Sequence, residues 1–158
     1  MLKKKIILSG LLLANSFSVL ANNEAIPYSG LGITYSADKR SEGSKDYFGL
    51  ELLVGIHIND GYAIEAGIGD YTLATSAESV VPIFSRFKNY YSLGQSSNLY
   101  WGSGVAYIDT GIRPLINLGI EYRLNEKWTI DAGYQGLFGV NNYHDDVYSM
   151  RFLAKYQY

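Results

Sequence analysis

Apolar and polar side chains alternate along most of this chain. Across residues 47–58, Phe48, Leu50, Leu52, Val54, Ile56 and Ile58 form an unbroken apolar face, with Gly49, Glu51, Gly55 and His57 opposite. A period of two marks a strand with two unlike faces. Residues 27–37 set Leu31, Ile33 and Tyr35 against Gly30, Gly32 and Thr34. Residues 62–72 set Tyr62, Ile64, Ala66 and Ile68 against Glu65, Gly67, Gly69 and Tyr71. Residues 99–109 set Leu99, Trp101, Val105 and Tyr107 against Gly102, Gly104 and Ala106. Residues 115–124 set Ile116, Leu118, Ile120, Tyr122 and Leu124 against Asn117, Gly119, Glu121 and Arg123. Residues 128–138 set Trp128, Ile130, Ala132 and Tyr134 against Thr129, Asp131, Gly133 and Gln135. In residues 147–158, Met150, Phe152, Ala154, Tyr156 and Tyr158 oppose Arg151, Lys155 and Gln157, with Leu153 as the exception. Residues 80–93 are less regular, because Pro82 and Ser85 blur the register, and a bulge is expected there.

Tight turns and longer polar loops join these segments in alternation. Asn59-Asp60-Gly61 is a hairpin signal, and residues 95–98 and 125–127 also turn the chain. The loops are residues 38–46, 73–79, 110–114 and 139–146. The pattern predicts an all-β fold, an eight-stranded antiparallel up-and-down transmembrane β-barrel. A strand of roughly 9–11 residues, tilted by about 40°, crosses the ~25 Å apolar band of an outer membrane. A soluble barrel of the lipocalin type would turn its apolar face inward. Here the glycines share a face with the charges, and the concave interior of a small barrel needs small residues, so the charges are expected inside. Tyr62, Tyr100, Trp101, Tyr122, Trp128, Tyr156 and Tyr158 fall near the turn ends of the strands. Tyr35, Tyr47, Tyr71, Tyr107, Phe138 and Tyr148 fall near the loop ends, giving the expected pair of interfacial girdles.

The first 21 residues are expected to be a cleaved secretory signal. Lys3, Lys4 and Lys5 form its positive end, residues 6–13 supply most of its apolar core, and Val19-Leu20-Ala21 suits signal peptidase. Residues 22–158 would then be one barrel domain. Removing three lysines leaves ten basic against 15 acidic residues, a formal charge of about −5, which argues against nucleic acid as a partner. With no cysteine, neither disulfides nor thiolate metal sites are expected.

Pro114-Leu-Ile-Asn-Leu-Gly-Ile-Glu-Tyr and its continuation to Gln135 resemble the transmembrane domain of the OmpA family. There a Gly-x-x-Tyr strand, a short polar turn and an aromatic strand ending in Gly-Tyr recur. Leu99-Tyr-Trp-Gly-Ser-Gly resembles that family's fifth strand. Together with the aromatic C-terminus the similarity covers most of residues 22–158, and the overall size is nearer the OmpX/Ail group. The resemblance implies an integral barrel of the Gram-negative outer membrane with both termini periplasmic. Its partners would be outer-membrane lipid, lipopolysaccharide and the β-barrel assembly machinery, which in such barrels reads a terminal aromatic strand, here Phe152, Tyr156 and Tyr158. The sequence ends at the eighth strand, so no peptidoglycan-binding domain and no wall anchoring are expected.

The candidate chemistry is a lumenal charge network of Glu51, Glu65, Arg86, Glu121, Arg123, Asp131, Arg151 and Lys155, with Lys88 as an alternative to Arg86. In a narrow barrel unpaired charges are costly, so mixed signs should pair. This predicts a structural ion-pair plug; the sharper alternative is a low-conductance path for small ions. A third reading is a surface adhesin or resistance factor, against which the short loops count. Hydrolytic catalysis would need a serine activated by a histidine. His57 reads as lumen-lining, and His144 sits in a loop with Asp145, Asp146 and Ser149. A His-x-Ser motif on a strand is missing. No catalytic residue, no metal and no cofactor is therefore expected, since two adjacent acids are weak evidence for a divalent cation.

Overall fold

Short side chains set the tight turns. Asn59 Oδ1 accepts the Gly61 N–H at 2.8 Å, and Asn125 Oδ1 accepts the N–H groups of Lys127 and Trp128, both at 2.9 Å. These are Asx turns, in which the side chain replaces a backbone acceptor. The computed structural model describes residues 25–37, 46–72, 79–108, 111–139 and 147–158. The expected signal segment, most of the 38–46 and 139–146 loops, and residues 73–78 and 109–110 lie outside the described residues.

Eight strands build the barrel: β1 (Ile26–Ala37), β2 (Asp46–Asn59), β3 (Tyr62–Gly69), β4 (Ile83–Ser92), β5 (Ser97–Ile108), β6 (Gly111–Arg123), β7 (Trp128–Leu137) and β8 (Val147–Gln157). Each pairs antiparallel with its sequence neighbours, and β8 closes the sheet against β1 from Tyr28↔Gln157 to Tyr35↔Met150. Closure leaves no free edge, so every strand has two hydrogen-bonding neighbours. The three turns and both ends of the barrel chain lie at one rim, and the strand ends that the loops join lie at the other.

The two faces are inverted relative to a soluble protein. Phe48, Leu50, Trp101, Ile112 and Phe152 are half or more exposed on the outer wall, whereas Glu65, Asp131 and Arg151 are fully buried inside. Aromatic rings band the outside at both rims. Tyr156 contacts both Trp128 and Tyr158 at the turn rim, and Tyr35–Phe48 and Tyr134–Tyr148 pair towards the loop rim.

Four local expectations are corrected. The β3–β4 ladder runs from Tyr62↔Asn89 to Ile68↔Ile83 without a shift, so the fourth strand has no bulge there; the irregularity lies in β2, between His57 and Asn59. The fourth strand looked irregular because Phe84 points in and Ser85 points out. Pro114 belongs to β6, opposite Val105, rather than to a loop. It is tolerated because on its other side only the Phe138 N–H reaches its carbonyl, beyond the last β7 pair. Tyr71 and Tyr100 are buried in the lumen rather than in the girdles, because each hydroxyl donates to a buried carboxylate.

The interior has two layers. Towards the loop rim Phe84, Ala106, Ile108, Leu115, Leu137 and Val147 form an apolar cluster, beside the buried polar Thr34, Ser36 and Ser149. The charged layer lies towards the turns. Strand β1 makes room for bulk from its neighbours: a Cβ at Gly30 would crowd Leu53, and one at Gly32 would strike Leu153.

Candidate functional site

The charged layer contains four acids, Glu51, Glu65, Glu121 and Asp131, and four bases, Arg86, Lys88, Arg151 and Lys155, all essentially removed from solvent. Their formal charges cancel. Desolvating eight ions is expensive, and close pairing with further hydrogen bonds is what makes such a cluster tolerable.

Two groupings share the load. In the first, Glu51 binds two guanidiniums, Arg86 Nη2 and Arg151 Nη2, each 2.8 Å from Oε1. Arg86 also reaches Glu65 at 2.5 Å and donates to Gln135 Oε1 at 2.6 Å. The planar guanidinium fork suits this three-way contact. Its face lies over the Phe84 ring, 4.5 Å from the centroid, which explains an aromatic at an inward position.

In the second grouping, Lys155 Nζ lies 2.7 Å from Glu65, 2.5 Å from Glu121 and 2.8 Å from Asp131. Lys88 Nζ contacts the same three residues at 3.2, 3.0 and 2.8 Å. Glu65, Glu121 and Asp131 bring carboxylate oxygens close enough for a metal ion. Two ammonium groups already supply the positive charge at this point, so the donor set fits a lysine-bridged cluster rather than a metal site.

Tyrosine hydroxyls complete the network. Tyr28 donates to Glu65 at 2.8 Å, Tyr90 to Glu121 at 2.9 Å, Tyr100 to Asp131 at 2.7 Å and Tyr71 to Glu51 at 2.7 Å. Gln135 Nε2 donates to the Tyr71 hydroxyl at 2.8 Å. Tyr100 lies across a glycine floor, since a Cβ on Gly133 or Gly119 would collide with its hydroxyl. At the turn side His57 packs between the rings of Tyr28 and Tyr90, with centroids 4.6 and 5.5 Å away.

Of the residues expected in the network, Glu51, Glu65, Arg86, Glu121, Asp131, Arg151 and Lys155 meet in it. Arg123 does not. It shares the parity of Glu121 but sits at the last position of β6, where the wall ends, and its side chain is exposed. Lys88 joins alongside Arg86, because residues two apart share a face. Sequence reasoning passed over Tyr28, Tyr90 and Tyr100 as network members. Parity was the available signal: Tyr28 falls in step with Gly30 and Thr34, and Tyr100 with Gly102 and Gly104. Phe152 faces outward, Tyr156 is half-buried at the turn rim, and Tyr158 is largely exposed. Tyr158 ties β8 to β1 through its N–H to the Pro27 carbonyl at 3.1 Å, and its hydroxyl is 2.9 Å from Ser29 Oγ. His144 lies outside the described residues.

The sequence matches no family model and no curated protein. Solved structures share its architecture. Neisserial surface protein A superposes with a TM-score of 0.62 at 19% identity, covering 83% of this chain and 95% of that one. The N-terminal β-barrel domain of Pseudomonas aeruginosa OprF gives 0.63 at 13% identity, covering 85% and 98%. The attachment invasion locus protein Ail of Yersinia pestis gives 0.55 at 13% identity, covering 85% and 99%. The chain has the fold of the small eight-stranded outer-membrane barrels. At these identities the likeness concerns architecture; the lumen contacts belong to this chain's own residues.

Proposed function

We propose that this chain is a non-enzymatic integral barrel of the bacterial outer membrane, with both termini periplasmic, whose lumen is a structural plug and whose role is in envelope integrity. The observation carrying this reading is the inverted polarity: an apolar outer wall between two aromatic bands, around four acids and four bases that neutralise one another. Exposed apolar area of this extent is stable only against lipid. Lipid and lipopolysaccharide are accordingly the partners of the wall, and the β-barrel assembly machinery is the partner of the closing strand.

The plug reading is favoured over the small-ion path because the buried acids and bases are paired with one another and removed from solvent. Among the described residues His57 is held between the rings of Tyr28 and Tyr90.

Planar-bilayer recording of the refolded protein tests this. A flat baseline is expected. Unitary current steps whose size changes in Lys88→Met would overturn the plug reading in favour of a pore. A deletion strain should admit a hydrophobic dye faster than its parent, and equal uptake would remove the envelope role.

A further inference from the structure

The turn between β2 and β3 carries Asp60-Gly61, an aspartate followed by a residue with no side chain. In such a pair the amide nitrogen of the second residue can reach the carboxyl carbon of the first. Asp60 is exposed at the turn rim. The two residues lie beyond Asn59↔Tyr62, the last pair of the β2–β3 ladder, and the irregularity between His57 and Asn59 separates them from the regular register. A change in chain length at the turn is therefore absorbed before the ladder resumes at His57↔Ala63.

Gly61 is held on both sides. Its N–H donates to Asn59 Oδ1 at 2.8 Å, and its carbonyl accepts the Tyr90 N–H at 2.8 Å. The first contact occupies the proton of the nitrogen that would attack and fixes the plane of its peptide. The second ties the turn to β4, where the Tyr90 hydroxyl donates to Glu121. The turn itself does not demand glycine here. Among the described glycines a positive φ occurs at Gly111 and Gly139, and a Cβ at Gly61 would meet only Asn59 Oδ1, at 3.4 Å.

We propose that Asp60-Gly61 is a site of spontaneous isoaspartate formation, that Asn59 slows it by holding the Gly61 N–H, and that the product loosens the tie between the turn and Tyr90. The Gly61 nitrogen bonds to Asp60 Cγ, and the hydroxyl of the protonated carboxyl leaves with the amide proton as water. The resulting succinimide takes back one water. Addition at Cγ restores aspartate. Addition at the Asp60 backbone carbonyl routes the chain through the side chain and leaves the α-carboxylate free. Water is the only co-reactant, and the turn keeps one carboxylate throughout. The isoaspartyl backbone is longer by one atom, so the Gly61 carbonyl no longer falls opposite the Tyr90 N–H.

The test uses the full barrel refolded in lipid vesicles and held for weeks at growth temperature. Isoaspartate is located by electron-transfer fragmentation of the turn peptide after digestion. It should accumulate at Asp60, and Gly61→Ala, which the turn has room for, should form far less because its Cβ obstructs the nitrogen. Asn59→Ala should raise the rate by about two- to tenfold, the worth of one hydrogen bond. Asn59→Asp keeps an acceptor in place and should stay near wild type. Wild type unfolded in urea lacks the contact and should react faster than the folded barrel by at least the same factor, which decides the matter if Asn59→Ala does not fold. A folded Asn59→Ala barrel reacting at the wild-type rate, or equal rates in urea and in lipid, would overturn the role of Asn59. An equal yield in Gly61→Ala would overturn the site. Hydrogen exchange at the Tyr90 amide should be faster in aged, isoaspartate-bearing barrels than in fresh ones; equal exchange would overturn the loosening.

Discussion

Glu121 and Asp131 stand directly opposite each other on β6 and β7, two acids in a cross-strand position where like charges repel. The pair persists because Lys88 and Lys155 each touch both carboxylates, at 2.5 to 3.0 Å. With Glu65, which both lysines also touch, five ions form one unit. Lys88→Met should destabilise the barrel by about 3–5 kcal/mol, the usual scale for leaving a buried partner unpaired. Adding Glu121→Gln should recover part of that loss, with a coupling of about 0.5–3 kcal/mol. Urea unfolding in lipid vesicles measures both; simple additivity would mean that the lysine does not bridge the pair.

Arg151 and Arg123 offer a matched comparison. Both lie in barrel strands, but Arg151 is buried on Glu51 and Arg123 is exposed at the rim. Arg151→Ala should cost about 3–5 kcal/mol, and Arg123→Ala about 0–1 kcal/mol. Equal urea midpoints for the two variants would place Arg151 in water.

The Tyr100 hydroxyl occupies the space where a Cβ on Gly133 would go. Gly133→Ala should therefore cost about 1–3 kcal/mol through overpacking. In a Tyr100→Phe background the colliding oxygen is gone, so the same alanine should cost less. An alanine penalty of equal size in both backgrounds would assign the effect to glycine's backbone.

The barrel direction can be read by chemical labelling of intact cells. A cysteine replacing Asp60, in the turn after β2, should be protected from an impermeant thiol reagent. One replacing Ser44, in the loop that precedes β2 and outside the described residues, should react. The opposite pattern would reverse the topology.

Tyr158 closes the β8–β1 seam at the turn rim and packs edge-to-face with Tyr156, with centroids 5.5 Å apart. Its deletion should impair assembly in cells more than refolding into lipid in vitro, because the seam keeps its ladder from Tyr28↔Gln157 onward. Heat-modifiable migration on a gel reports the folded fraction in each setting. An unchanged folded fraction in cells would remove the assembly role and leave Tyr158 as one girdle residue among several.

Alternation and the turn signals determined the eight strands and their antiparallel order, and the glycines sharing a face with the charges decided which face meets lipid. Leu50 and Leu52 point outward with Glu51 between them because a strand's side chains alternate whatever the rest of the chain does. The turns were equally local, as Asn59 and Asn125 show, since a short side chain caps its own neighbours. Tertiary structure decided which charges meet. Lys88 with Asp131 and Lys155 with Glu65 join positions 43 and 90 residues apart, and only the stagger of the closed barrel sets them at one height. Arg123 has the parity of Glu121 yet reaches water, because parity fixes a face and not a depth. Phe84 turns inward against the pattern because the Arg86 guanidinium needs a ring beneath it. Tyr71 keeps the parity of Glu65, Gly67 and Gly69, but its contact with Glu51 from beyond the end of β3 depends on the Asp70 carbonyl seating above Gly49.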